Sequence, residues 1–145
     1  MASLYPEIKL PTLIAPKTPA PADYQRVAPY FDFDSGEFRF DKKGQIIFAD
    51  SRETFEQWCL KVCMTERLTR LAYSGKIGAE FEAAMKMPNV AAVKSSIIRT
   101  ITQTILVHPR ARAVKNFKFS GETDYLNVEF TVEAIDFETR LEVTI

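Results

Sequence analysis

The 145-residue sequence is poor in the residue types that carry most site chemistry. It holds one histidine, His108, and two cysteines, Cys59 and Cys63. A tetrahedral metal centre needs four ligands, which these three residues do not supply, and buried core cysteines are the simpler reading. No serine or cysteine motif surrounds His108, which argues against nucleophilic catalysis. Its place at an expected helix end suits contact with the last carbonyls and the helix dipole. Glycine is scarce, at five residues. Gly75 and Gly78 stand apart with no Gly-Lys-Ser/Thr after them, so a phosphate-binding loop is not indicated. The carboxylate pairs Asp32/Asp34 and Glu80/Glu82 read as solvated faces of amphipathic elements, without an apolar pocket to raise one pKa. The sequence nominates no catalytic residue, no cofactor and no metal site.

Other absences bound partners and compartment. The formal net charge is zero, which speaks against a general nucleic-acid binder. No stretch approaches the ~20 apolar residues of a membrane span. Glu7, Lys9 and Pro11 interrupt the first 14 residues, so no signal-like run opens the chain. With two cysteines in all, a reducing compartment and synthesis in the cytoplasm are expected. The charges are nonetheless uneven. Residues 51–112 hold ten basic and five acidic side chains, and residues 113–145 hold three and seven. Such polarity suits a subunit that meets different neighbours at its two ends; two solvated faces that merely differ explain the counts equally well.

What is present has a clear order. Residues 1–29 carry six of the eight prolines. Proline fixes φ and removes a backbone donor, so this segment is expected to be an extended arm. Leu4, Tyr5, Ile8, Leu10, Leu13 and Ile14 make it more apolar than most disordered tails, which favours an arm lying in a groove on this protein or a neighbour. One domain is expected over 30–145. Phe31, Phe33, Phe38 and Phe40 alternate with polar residues around Asp34-Ser35-Gly36, the pattern of a small hairpin. Asp41-Lys42-Lys43-Gly44 turns into a third short strand over 45–48. Asp50 followed by Glu53 fits a capping box opening a helix. On that helix Phe55, Trp58, Cys59, Val62 and Cys63 share one face.

A second short helix is expected over 80–87, stopped by Pro88-Asn89, and a third over 90–107, stopped by His108-Pro109. Val90, Val93, Ile97, Ile101 and Ile105 (or Leu106) should form its apolar face, with Lys94, Arg99 and Gln103 opposite. Period-2 alternation then marks strands. Lys115, Phe117 and Phe119 share one face. Leu126, Val128, Phe130, Val132 and Ala134 form the second strand's apolar face, and Leu141, Val143 and Ile145 the last one's. The fold class is α+β: about three helices packed on a mostly antiparallel sheet with one wet face.

Thr65-Glu66-Arg67, directly after the first long helix, is the best candidate for a functional corner. Adjacent helical residues point in different directions, so Glu66 and Arg67 should not simply pair with each other. Each can make charge-assisted bonds to backbone or to another chain. From composition alone, a fraying, solvated helix end is the favoured alternative.

The ordered set of motifs resembles a known family. Phe31-Asp32-Phe33-Asp34-Ser35-Gly36-Glu37-Phe38, then Phe55-Glu56-Gln57-Trp58, then Met64-Thr65-Glu66-Arg67, Tyr73-Ser74 and Ile77-Gly78 carry the likeness. His108-Pro109-Arg110 and Val114-Lys115-Asn116-Phe117 continue it. They resemble the small baseplate-wedge proteins of contractile phage tails, in the branch found in defective prophages and phage-tail-like particles of Gram-positive bacteria. The resemblance covers roughly Tyr30 to Ala134. The family's Glu-Arg element falls on Glu66 and Arg67. A glycine commonly follows that arginine, where Leu68 stands here, and an aromatic often precedes the later glycine, where Ile77 stands.

The resemblance implies a non-enzymatic, structural wedge subunit near the tube, in a hetero-oligomeric six-fold assembly. Its partners would be other wedge proteins and the sheath protein, with tube or hub proteins as further neighbours, and neither nucleic acid nor membrane. The implied subunit interface is the corner, with Thr65, Glu66, Arg67, Tyr73 and Gly78. Relatives are thought to offer strands that the sheath's terminal arms extend, and the last strand here could be such an edge. Leu141, Val143 and Ile145 would set its register, so that Val143→Pro abolishes sheath attachment without unfolding the domain. Two other classes stay open. One is a cell-wall lytic tail component, for which Glu66 is the nominal acid without an obvious partner. The other is a free protein–protein adaptor module.

Overall fold

The computed structural model describes residues 27–122 and 125–145. The expected arm lies outside the described residues as far as residue 26.

The chain opens with a hairpin, β1 (Phe31–Asp32) and β2 (Glu37–Phe38), paired antiparallel with Phe31 opposite Phe38. Asp32 closes the turn: its Oδ1 accepts from the N–H groups of Asp34 and Ser35, at 3.0 and 3.4 Å. These bonds, with Arg39 beside it, hold the Asp32 carboxyl below its usual range. Gly36 takes the left-handed conformation the turn needs, φ 73°. The third strand expected over 45–48 does not form. Phe40 and Ile46, and Pro29 and Phe48, make isolated bridges only. The segment changes partner as it goes, giving Ile47 N–H to the Arg39 carbonyl and accepting from Tyr30 N–H at the Ile47 carbonyl. No two neighbouring rungs therefore add up to a ladder.

Helix α1 (Ser51–Cys63) begins with the expected capping box. Glu53 N–H donates to Asp50 Oδ1 at 2.7 Å, and Asp50 N–H donates to Glu53 Oε2 at 2.9 Å. Phe55, Cys59, Val62 and Cys63 are buried, with Trp58 partly so. Helix α2 (Phe81–Met85) is shorter than expected. Helix α3 (Val90–Ile105) starts at an Asn89 cap, whose Oδ1 accepts from Ala92 N–H at 2.8 Å. Ile97, Ile101 and Ile105 are fully buried, but Val90, at the first position of the helix, is 70% exposed, contrary to the expected face. Thr100 and Thr104 are buried instead. Each hydroxyl has an internal partner, which is the condition for burying it.

The remaining chain folds into an antiparallel sheet ordered β3 (Ala111–Glu122), β4 (Tyr125–Ala134), β5 (Glu138–Thr144). Helices α1 and α3 cover one face, α1 over β5 and α3 over β3. Val128, Phe130, Val132, Leu141 and Val143 meet the isoleucines of α3 and the cysteines of α1 in one core. The other face is wet and charged, with Glu129 between Lys118 and Arg140, and Lys115 between Glu133 and Glu138. Lys115 is thus not on the face of Phe117, contrary to the alternation expected. The register shifts between Lys115 and Lys118, and Asn116 adopts φ 58°. This bulge turns Lys115 to solvent and Phe117 to the core.

Candidate functional site

The two places singled out in the sequence have opposite characters in the fold. The corner, residues 64–80, is a loop whose ends are tied by a parallel bridge between Glu66 and Ala79. Arg67 N–H donates to the Ala79 carbonyl at 3.0 Å, and Ala79 N–H to the Thr65 carbonyl at 2.8 Å. The Arg67 guanidinium turns inward. Its Nε donates to the Gly78 carbonyl at 3.1 Å, one Nη to Thr104 Oγ1 at 3.3 Å, and the other lies 3.5 Å from Glu80. Thr104 Oγ1 donates to the same Gly78 carbonyl at 2.6 Å. Thr100 Oγ1 accepts from Glu80 N–H at 3.0 Å. The corner is therefore stapled to α3, and the fraying, solvated helix end is not what forms.

Backbone geometry explains two residues of the corner. Gly78 has φ 108°, and a Cβ there would sit 2.8 Å from the Thr65 carbonyl oxygen and 2.9 Å from Arg67 backbone atoms. Only glycine fits. Leu68 has φ 64°, a conformation costly to a side-chain-bearing residue. Leu68 follows Arg67 directly, so the strain sits at the end of the Glu66–Arg67 element. Of the residues nominated here, Thr65, Arg67 and Gly78 serve internal contacts. Glu66 is half-buried, and Tyr73 is 40% exposed.

The last strand offers its groups outward. Leu126 and Ile145 exchange both backbone bonds, and Ala134 N–H donates to the Phe137 carbonyl. In an antiparallel ladder such pairs recur at every second residue. Thr139, Leu141, Val143 and Ile145 therefore direct their N–H and C=O groups at β4, while Glu138, Arg140, Glu142 and Thr144 direct theirs away. The outward Glu138 carbonyl accepts from Arg52 at 3.4 Å. Among the described residues, no hydrogen bond reaches the outward backbone groups of Arg140, Glu142 or Thr144. Leu141 and Val143 are 8% and 5% exposed, so their side chains belong to the core. Val143→Pro would consequently remove an internal ladder bond and disturb the core, which corrects the expectation that it spares the fold.

The sheet's two edges differ. β3 carries two register shifts and three basic residues, Arg112, Lys115 and Lys118, features that blunt an edge against pairing. β5 pairs with β4 without a shift over its whole length. It is held by a residue whose importance sequence reasoning missed, Arg110. Arg110 is 7% exposed, and its guanidinium grips Asp136 at 3.1 and 2.7 Å, in the turn before β5. Its Nη1 also donates to the Ser51 carbonyl and hydroxyl at 2.9 and 2.8 Å, tying that turn to the start of α1. The guanidinium holds the Asp136 carboxyl below the usual range. Nothing local in His108-Pro109-Arg110 signals this, because all partners of the guanidinium are distant in sequence.

The chemistry-bearing residues are quiet. Burial pushes the Cys63 thiol up to about 12 and raises Cys59 as well, so both stay protonated and unreactive. His108 does not act as a charged helix cap. Its Nδ1 accepts from Arg110 N–H at 3.1 Å, and its ring meets Phe55 and Trp58 edge-on. Burial, with the charge of Arg110, lowers its pKa below 6.5. Among the described residues, no group of three His, Cys, Asp or Glu is placed to hold a metal ion.

A family model described as contractile injection system sheath initiator matches residues 29–136. The chain belongs to the sheath initiator family. The match takes in the hairpin, the three helices, the corner, β3 and β4, and stops at Asp136, just before β5. No curated protein matches the chain. Membership makes the role structural: sheath attachment at the baseplate of a contractile tail, in contact with sheath and baseplate components. A sheath initiator assembles into the tail or baseplate particle, and among the described residues no helix is long and apolar enough to cross a membrane.

Proposed function

We propose that the chain is the small wedge subunit of such a baseplate, of the Gram-positive prophage type, and that the first sheath ring attaches by adding a strand to β5. The observation that carries this is the unshifted outer edge of β5, with the backbone groups of Arg140, Glu142 and Thr144 facing out. Strand addition takes its affinity from main-chain bonds, which need only an open, regular edge. Leu141, Val143 and Ile145 set the register from inside, by locking β5 to β4. A wedge subunit in a six-fold assembly also needs lateral contacts. Phe38, Phe40, Ile46 and Phe48 are between 44% and 61% exposed along the 38–48 segment, an apolar surface of the kind that marks an interface. Glu66 and Tyr73 extend the corner toward neighbours.

Glu142→Pro is the test. Its N–H faces outward, so proline removes a donor to the incoming strand and none to β4. Expected is a variant that folds normally but no longer sediments with tail-like particles, whereas the wild type does so in fixed ratio to sheath and tube. Normal incorporation of the variant would remove β5 as the attachment edge. Failure of the wild-type chain to sediment with particles would remove the wedge reading as a whole.

A further inference from the structure

Beside the free edge of β5 lies a groove of about 280 Å³, walled by the hairpin on one side and α1 on the other. Glu53, Glu56, Gln57 and Leu60 of α1 line it, a stripe at the i, i+3, i+4, i+7 spacing of one helix face. Phe31, Asp32, Phe33 and Asp34 line it from the hairpin, and Leu141 marks the side of β5. The lining contains four carboxylates and no lysine or arginine. Asp32 is paired with Arg39, Glu56 with Arg52, and Glu53 is engaged in the α1 cap. Among the described residues, Asp34 has no ion-pair partner. In the same wall Gln57 accepts from Phe31 N–H at 2.8 Å through Oε1, while its Nε2 is buried without an acceptor.

The position of the groove relates it to the edge. Neighbouring strands lie about 4.8 Å apart, and directly opposed residues put their side chains on the same face. A residue of an added strand that faces Leu141 therefore points its side chain to the helix side of the sheet, next to Leu141, where the groove is. Aromatic walls suit an aliphatic stem and a cation over a ring face. A carboxylate rim without a cation suits a positive head group.

We infer that the strand added at β5 carries a lysine or arginine opposite Leu141, with its stem against Phe31, Phe33 and Leu60 and its charge at Asp34. This rests on the strand-addition reading above. It goes further by assigning the added strand a charge and a register.

The test is capture of the purified sheath protein of the same particle by the full-length chain, at low and at high salt. Glu142→Pro is expected to abolish capture at both salts. Asp34→Lys should lower it about three- to tenfold at low salt, and less at high salt because an exposed charge is screened. Asp34→Asn should have a smaller effect in the same direction. Thermal melts matching the wild type would show that neither Asp34 variant acts through folding, as expected for an exposed turn residue. Replacing the facing basic residue of the sheath strand with glutamate should restore capture by Asp34→Lys. If Glu142→Pro abolishes capture and Asp34→Lys captures as well as wild type at both salts, the groove inference is overturned and β5 addition stands. If Glu142→Pro captures normally, both fall.

Discussion

The corner at 64–80 and the edge at β5 are both polar, solvent-facing stretches in the sequence, yet the fold uses them in opposite ways. At the corner the groups close on the protein itself. Arg67 reaches Gly78 and Thr104, and the loop ends bridge at Glu66 and Ala79. At β5 alternate backbone groups remain directed outward, and the side chains that would be lost to a partner are already in the core. The difference lies in where a second element stands. The corner has α3 against it, whereas among the described residues β5 has β4 on one side and no strand on the other. Within the charged motif Arg67 is thus spent on internal contacts, and an unremarkable alternating strand becomes the candidate for attachment.

Substitutions separate the two regions. The largest effect is expected from Gly78→Ala, because the new Cβ meets backbone at 2.8 Å and the φ of 108° stays strained. Loss of roughly 3 kcal/mol is expected in thermal or urea denaturation. Arg67→Ala removes the bonds to Gly78 and Thr104, at a cost of about 2 kcal/mol. If Arg67→Ala melts as wild type but fails to enter particles, the corner is an interface after all and the contrast collapses.

Acid titration probes the clamp that holds β5. The Asp136 carboxyl is depressed below its ordinary 3.8 by Arg110, so its contribution is present above that pH and is lost as pH falls through the lower folded value. His108 is depressed below 6.5, so the unfolded chain binds its proton first, and stability begins to fall as pH drops below 6.5. Both act in one direction: thermal midpoints should rise from acid toward neutral pH. Asp136→Asn should flatten the part below about pH 4, and a midpoint unchanged between acid and neutral pH would contradict the clamp. A smaller gain is expected from Leu68→Gly. It relieves the φ of 64° but adds freedom to the unfolded chain, for a net of about 0.5 kcal/mol in denaturant titration. Glu142→Pro should change stability least, while having the greatest effect on particle attachment. A large destabilisation by it would show that β5 is not a free edge.

Much of the fold was legible because it depends on local periodicity. The 3.6-residue spacing of Phe55, Cys59, Val62 and Cys63, the Asp50–Glu53 cap and the alternation from Leu126 to Ala134 all survive in the structure. Failures came where one residue changes the period. The bulge at Asn116 reverses Lys115, and the bridges at Phe40 and Phe48 never become a strand. The candidate site was legible only in part. Alternation located β5, but it named the inward residues Leu141, Val143 and Ile145, and the open backbone belongs to those between them. Which half of a strand's hydrogen-bonding groups is left over depends on which side its neighbour takes, and no pattern within the strand encodes that.

From its sequence alone the chain determined its long helices and main strands, the α1 cap and the α+β class, because these follow from the spacing of apolar side chains and from local hydrogen bonds. The tertiary structure alone decided that Arg67 faces inward and that Arg110 anchors the turn before β5. It alone decided that β5 pairs with β4 without a register shift while β3 carries two. Those outcomes depend on contacts between residues far apart in the chain, such as Arg67 with Thr104 and Arg110 with Ser51. Such contacts exist only once the helices have settled on the sheet.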